Sequence, residues 1–161
     1  MVKAARKLSG YREPLATDEP VFTGRIQREG YVVEKYFVKG EGGYVIPYLL
    51  MIPDGPRNKA LLYLHPAGKS AEGSAGGEVE WFVRKGFMVL APDLIGLGEM
   101  GPGSFRGDAE IEGISYNMAY TATLIGRSLV GIRAGDIVRL ARLLRKSSGQ
   151  RDVYAVARGE M

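Results

Sequence analysis

The chain has 161 residues, 45% of them hydrophobic and 25% charged, with a formal net charge of +4. That is one domain's worth, long enough to bury a sizeable core, and its basic residues form no nucleic-acid stripe, because those from Arg127 to Arg145 fall in one amphipathic stretch and read as its solvated face. The lack of cysteine excludes disulfides, thiolate catalysis and cysteine-ligated metal sites, and no apolar run reaches the roughly 18 residues that a membrane span needs.

In chain order, the start MVKAARKLSGYREP carries positive charge with no apolar segment after it. No secretory signal is visible, so a cytoplasmic protein is expected. Residues 1–30, with Pro14, Pro20 and scattered charges, read as an irregular arm ahead of a domain over 31–161. YVVEKYFVK (31–39) and YVIPYLLMIP (44–53) are rich in β-branched and aromatic residues and read as strands of an antiparallel hairpin turned by GEGG. Pro47 inside the second argues for an edge position or a bulge.

KALLYLH (59–65) and FMVLAPD (87–93) are continuous apolar runs, the pattern of strands buried on both faces. Between them EVEWFVRKG puts Val79, Phe82 and Val83 on one helical face, with Gly86 placed to end the helix. Residues 94–113 are rich in Gly and Pro and read as loop. From about Ser115 the pattern is helical. Its clearest part is SLVGIRAGDIVRLARLLRK, where Val130, Ala134, Ile137, Ala141 and Leu144 mark an apolar face. On the other side, Arg133, Asp136 and Arg139 read as surface ion pairs three residues apart. RDVYAVA (151–157) reads as a final, fully buried strand.

A hairpin feeding alternating strands and helices predicts an α/β fold: a mainly parallel, twisted sheet flanked by helices in three layers. Ligands of such sheets bind at the carboxyl ends of the strands, which singles out the loops after His65, Asp93 and Ala157.

Gly96 to Gly101 spells G-x-G-x-x-G after a strand, but the dinucleotide fingerprint must open directly into a helix. PGSFRGDAE follows instead, so no nucleotide cofactor is expected. Lys69-Ser70 lacks the glycine frame of a P-loop. His65, the only histidine, reads as a satisfied, partly buried side chain. After it, Ala67 and Gly68 are small enough to let backbone N–H groups point into the strand-end cleft, as an oxyanion hole requires. Asp93 is placed to accept hydrogen bonds from the glycine-rich backbone beyond it.

Four segments, ALLYLHPAGKS, GFMVLAPDLIGLGE, GRSLVGIRAGDIVRLARLLRK and RDVYAVARGEM, occur in that order. Together they resemble the first half of an α/β-hydrolase of the acetyl xylan esterase-like and dienelactone hydrolase-like branches. The resemblance covers about residues 30–161. It implies an oxyanion loop at His65, Pro66, Ala67 and Gly68, and a strand-end turn at Asp93, Gly96 and Gly98. It also implies a nucleophile elbow, G-x-S-x-G, over Ala157 to Met161. The sequence departs from that elbow at all three defining positions, with Gly159 where the nucleophile belongs and Glu160 one place late.

The resemblance therefore implies a carboxylic-ester hydrolase fold, about half of it present, with neither nucleophile nor catalytic histidine in place and no turnover expected from this chain. No metal or other cofactor is implied, and a small ester or saccharide is the ligand class. The alternative is a non-catalytic relative binding a ligand or partner at the same strand ends. The last strand should form an unpaired apolar sheet edge, which invites a homo-oligomer.

Overall fold

The computed structural model describes residues 1–15, 18–57, 59–101, 103, 107–111 and 113–159. Its elements in chain order are α1 (Val2–Leu8), β1 (Val21–Arg28), β2 (Tyr31–Lys39), β3 (Val45–Pro53), β4 (Lys59–Leu64), α2 (Glu78–Arg84) and β5 (Phe87–Pro92). A two-stranded ribbon follows, β6 (Glu110–Ile111) with β7 (Ile114–Ser115), and then α3 (Tyr116–Leu124), α4 (Leu129–Ser148) and β8 (Val153–Ala157).

Six strands form one sheet in the order β1-β2-β3-β5-β4-β8. Its core, β5-β4-β8, is parallel, while β1, β2 and β3 extend it as an antiparallel meander joined to β5. The α/β fold expected from the order of segments is the one observed. The N-terminal region differs from expectation. Residues 1–30 are not an irregular arm, because they hold α1 and β1, and the hairpin is part of a three-stranded meander.

The apolar runs of β4 and β5 have a simple cause. Alternate side chains of a strand face opposite ways, and a helix covers each face. Ala60, Leu62, Leu64, Met88 and Leu90 pack with Leu140, Leu143 and Leu144 of α4. Leu61, Tyr63 and Val89 pack with Val79 and Val83 of α2 on the other side. Each such Leu, fully removed from water, contributes about 1.5–3 kcal/mol. Gly86 follows α2 in the left-handed conformation, as its position suggested.

Pro47 is neither on an edge strand nor at a bulge, since β3 lies between β2 and β5 in unbroken register with β2. Its carbonyl accepts the Asp93 N–H at 2.8 Å, so its own nitrogen also faces the β5 side. The β3–β5 ladder ends at Tyr48–Pro92. The missing proline N–H thus falls at the end of the ladder, where it leaves unmade only the reciprocal bond to the Asp93 carbonyl.

Helix α4 corrects the expected faces. Val130, assigned inward, is 60% exposed, while Arg133, Asp136 and Arg139 are all buried. The Arg133 Nε donates to the Ile95 carbonyl at 2.9 Å, and the Tyr44 hydroxyl donates to Asp136. Arg139 lies 3.9 Å from the Asp136 carboxylate. Arg127 is also buried, paired with Glu41 at 2.5 Å. The supposed solvated face is thus half a buried polar network; exposed Arg142 and Arg145 toward the C-terminal end keep the expected role. β8 is likewise not buried. Among the described residues it pairs only with β4, and Tyr154 is 54% exposed. It is the unpaired sheet edge that the final strand was expected to form.

Candidate functional site at the strand ends

Three loops meet at the carboxyl ends of the parallel strands. The loop after β4 carries His65 to Lys69, the loop after β5 runs from Asp93 to Gly101, and β8 leads into Arg158 and Gly159. The Arg158 N–H donates to the Leu64 carbonyl at 2.9 Å, which extends the β4–β8 ladder one residue and brings Gly159 beside the β4 loop.

Asp93 organises the first cluster. It is 2% exposed, and its carboxylate accepts from the Lys69 N–H at 2.6 Å, the Lys69 ammonium at 2.5 Å and the Glu99 N–H at 3.0 Å. The Lys69 ammonium, 8% exposed, also lies 2.8 Å from Glu99. A buried carboxylate is tolerable only when paired and hydrogen-bonded, and both conditions are met. Gly98 sits at φ +54, and a Cβ on either Gly68 or Gly98 would overlap the Asp93 carboxylate. Glycine at these two places is therefore a packing requirement.

Lys69 and Glu99 were not singled out from the sequence as partners of Asp93. Their separation along the chain, 24 and 6 residues from it, leaves no local pattern to read. Gly96 stands apart from this cluster, backed by the Arg133 guanidinium and Met118. Arg133 thus fastens the β5 loop to α4. Burial alone lowers its affinity for its proton.

The second cluster lies around His65. Its Nδ1 accepts from the Ala67 N–H at 3.1 Å, and its carbonyl accepts from the Gly68 N–H at 3.0 Å. Gly68 is buried within the turn, whereas Ala67 is exposed. Of the two amides, Ala67 N–H is the one an incoming oxygen could take over. Its present acceptor is a half-buried imidazole stacked on Tyr63.

Beneath the end of β8, the Tyr63 hydroxyl donates to Glu78 at 2.6 Å and Arg158 Nε donates to the same carboxylate at 3.0 Å. The Arg158 bond holds Glu78 below its ordinary range, while burial, then the bond to Glu78, pushes Tyr63 up to about 12. Gly159 follows at φ +59, a conformation that L side chains rarely adopt. No side chain at the described end of β8 is a nucleophile, and Glu160 lies outside the described residues.

A cleft of about 540 Å³ opens beside the first cluster, bordered by Lys69, Ser70, Tyr48, Arg28 and Glu99. Among the described residues, no group of three or more His, Asp or Glu side chains is placed to hold a metal ion. Nor is any helix among them long and apolar enough to cross a membrane.

No family model matches the sequence, and no curated protein matches it either. Solved structures do. A candidate acetyl xylan esterase from Bacteroides fragilis superposes with a TM-score of 0.73 at 20% identity, over 96% of this chain and 45% of its own. Acetyl xylan esterase 1 from Thermoanaerobacterium gives 0.62 at 17% identity, over 95% of this chain and 47% of its own. The acetyl xylan esterase from Paenibacillus sp. R4 gives 0.60 at 16% identity, with 95% and 49% covered. The chain spans about half the length of the esterases it matches. Its six-stranded α/β fold is that of the matched part of these esterases.

Proposed function

We propose that the chain is the oxyanion-loop half of a carboxylic-ester hydrolase domain, whose reaction type is acyl transfer to an elbow nucleophile and then to water. On this reading the chain itself is catalytically silent. The observation that carries the proposal is the meeting of Gly159, at positive φ, with the His65–Gly68 loop at the end of β4. A nucleophile elbow requires that placement: a sharp turn just after a parallel strand, within reach of an N–H from the neighbouring loop. Ala67 N–H would supply the oxyanion contact, and Gly159 occupies the nucleophile's place without a side chain to attack.

The Asp93 cluster serves as scaffold here. Its carboxylate is engaged by two backbone amides and one ammonium, and it holds the loops after β4 and β5 together. The test is hydrolysis of an aryl acetate. The expected rate is that of buffer alone, and turnover that disappears in Ala67→Pro, which lacks the N–H, would overturn catalytic silence while supporting the site.

A second reading keeps the cleft and drops the chemistry: a binding module for a small ester or saccharide. It is favoured by the substituted elbow, Ala157 and Gly159 standing where glycine and the nucleophile belong. Amide shifts at Ala67 and Gly68 on titration with acetylated xylo-oligosaccharide would favour it over the first.

A further inference from the structure

On the α2 side of the sheet, β1, β2 and β3 form the floor of the cleft of about 540 Å³ that opens beside Lys69 and Glu99. These strands lie at the opposite end of the sheet order from β8. Pairing sets Ile26 beside Val33 and Leu49 beside Lys35, and Val33 and Lys35, two apart on one strand, face the same way. The floor is therefore apolar with one ammonium on it. The facing wall is the loop after β4, tied to β1 where the Arg28 guanidinium donates to the Gly73 carbonyl at 2.7 Å.

The charge of the cleft is one-sided. Arg28, Lys35 and Lys69 line it, against one acid, Glu99. Arg28 is held by neutral acceptors, the Gly73 carbonyl and the Tyr31 hydroxyl. Among the described residues, neither Arg28 nor Lys35 is ion-paired. The Lys69 ammonium, 8% exposed, has two carboxylate partners of unequal standing. Asp93 is buried and fixed by two backbone N–H groups as well. Glu99 reaches the ammonium at 2.8 Å, yet its side chain is 69% exposed. An exposed carboxylate gains little from such a pair, because water competes for it and a long side chain must be held still. Glu99 is thus the exchangeable partner, in a cleft whose other charges are positive.

We propose that the cleft binds a small organic carboxylate with an apolar body. The ligand's carboxylate takes the place of Glu99 on the Lys69 ammonium, and its body covers Ile26, Val33 and Leu49. A charge-assisted bond to a largely buried ammonium is stronger than the same bond in open water, while the displaced Glu99 regains its hydration. From β3 to β1 is two strand spacings, about 10 Å, the length of a phenyl ring on a short chain. The cleft volume is ordinary for a small-molecule site. Binding of this kind needs neither the His65–Gly68 loop nor a nucleophile.

Titration of the 161-residue chain with 3-phenylpropionate, followed by the amide shifts of Val33, Lys69 and Glu99, tests this. A dissociation constant of about 1 mM is expected for a ligand of that size. The neutral 3-phenylpropionamide should bind about ten-fold more weakly, and so should inorganic phosphate, which has the charge without the apolar body. Glu99→Gln removes the competing carboxylate, keeps the N–H that Asp93 accepts, and should tighten binding of the acid about five-fold. Lys69→Met, its folding checked by urea denaturation, should weaken binding about ten-fold. Equal affinity for the acid and its amide, or for the acid and phosphate, would overturn the proposal. So would an affinity that Glu99→Gln leaves unchanged, which can be read even if Lys69→Met does not fold.

Discussion

Gly159 lies against Pro66: a Cβ built on its backbone would come within 3.1 Å of the Pro66 Cγ. Two physical penalties therefore meet at the position proposed for the nucleophile. One is the positive φ, costing about 1–2 kcal/mol for a residue with a side chain. The other is the displacement of the proline ring. Gly159→Ser should lower the stability of the chain by about 1–3 kcal/mol, read by urea denaturation. It should also leave aryl-acetate hydrolysis at the buffer rate, since the one histidine, His65, already accepts the Ala67 N–H. An unchanged denaturation midpoint would show that the turn is not held as described.

The Asp93–Lys69 pair predicts an asymmetry. Asp93→Ala leaves the Lys69 ammonium only the exposed Glu99, strips the Lys69 and Glu99 N–H groups of their acceptor, and should cost about 3–5 kcal/mol. Lys69→Met should cost clearly less, because Asp93 keeps the N–H groups of Lys69 and Glu99. Chemical denaturation of both variants decides the matter. Equal losses would mean that the backbone donors contribute nothing to holding the carboxylate.

Asp136 makes stability depend on pH. Burial pushes its carboxyl from the ordinary 3.8 up to about 6, against the Tyr44 hydroxyl bond and Arg139, which pull the other way. The folded state therefore holds this proton more tightly than the unfolded chain does. The contribution is complete below the unfolded value and is lost as pH rises through about 6. The full loss is about 3 kcal/mol. Measured at pH 4 and pH 7, the wild type should lose about 2–3 kcal/mol more across that interval than Asp136→Asn does. Parallel curves for the two proteins would rule out this origin.

The N-terminal segment is docked on α4 through a close backbone approach. The Ser9 carbonyl accepts from the Ser128 hydroxyl at 2.8 Å and from the Ser128 N–H at 3.2 Å. A Cβ on Gly131 would overlap that same carbonyl. Gly131→Ala should release residues 1–15 to protease while the sheet stays resistant, a pattern that limited proteolysis with mass mapping can read. Resistance of the segment in the variant would contradict the docking.

Much of the fold was legible in the sequence, because its signals there are local. β4 and β5 are covered on both faces, so every position must be apolar, and an unbroken run of Leu, Val and Ala is the direct consequence. The glycine at 98 and the acid at 93 mark a tight strand-end turn for a similarly local reason, whereas Gly68 meets that acid only once β4 and β5 are paired. What the sequence could not reveal is which polar residues the tertiary structure buries. Arg133 and Asp136 sit on α4 at spacings that suit a solvated face equally well. They are internal because the Ile95 carbonyl and the Tyr44 hydroxyl, distant along the chain, meet them there.

The same distinction separates strand from edge. Val153 to Ala157 carries the composition of a buried strand, and composition alone determined that it would pair. Only the sheet order decided that, among the described residues, it has one neighbour instead of two. The Gly98 and Gly159 positions follow the same rule. The chain dictates that these residues can adopt positive φ; the Asp93 carboxylate beside one and the Pro66 ring beside the other decide what each conformation is for. Local sequence determines periodicity and backbone freedom, which act over a few residues. Burial and pairing depend on long-range contacts and are decided only when the segments meet.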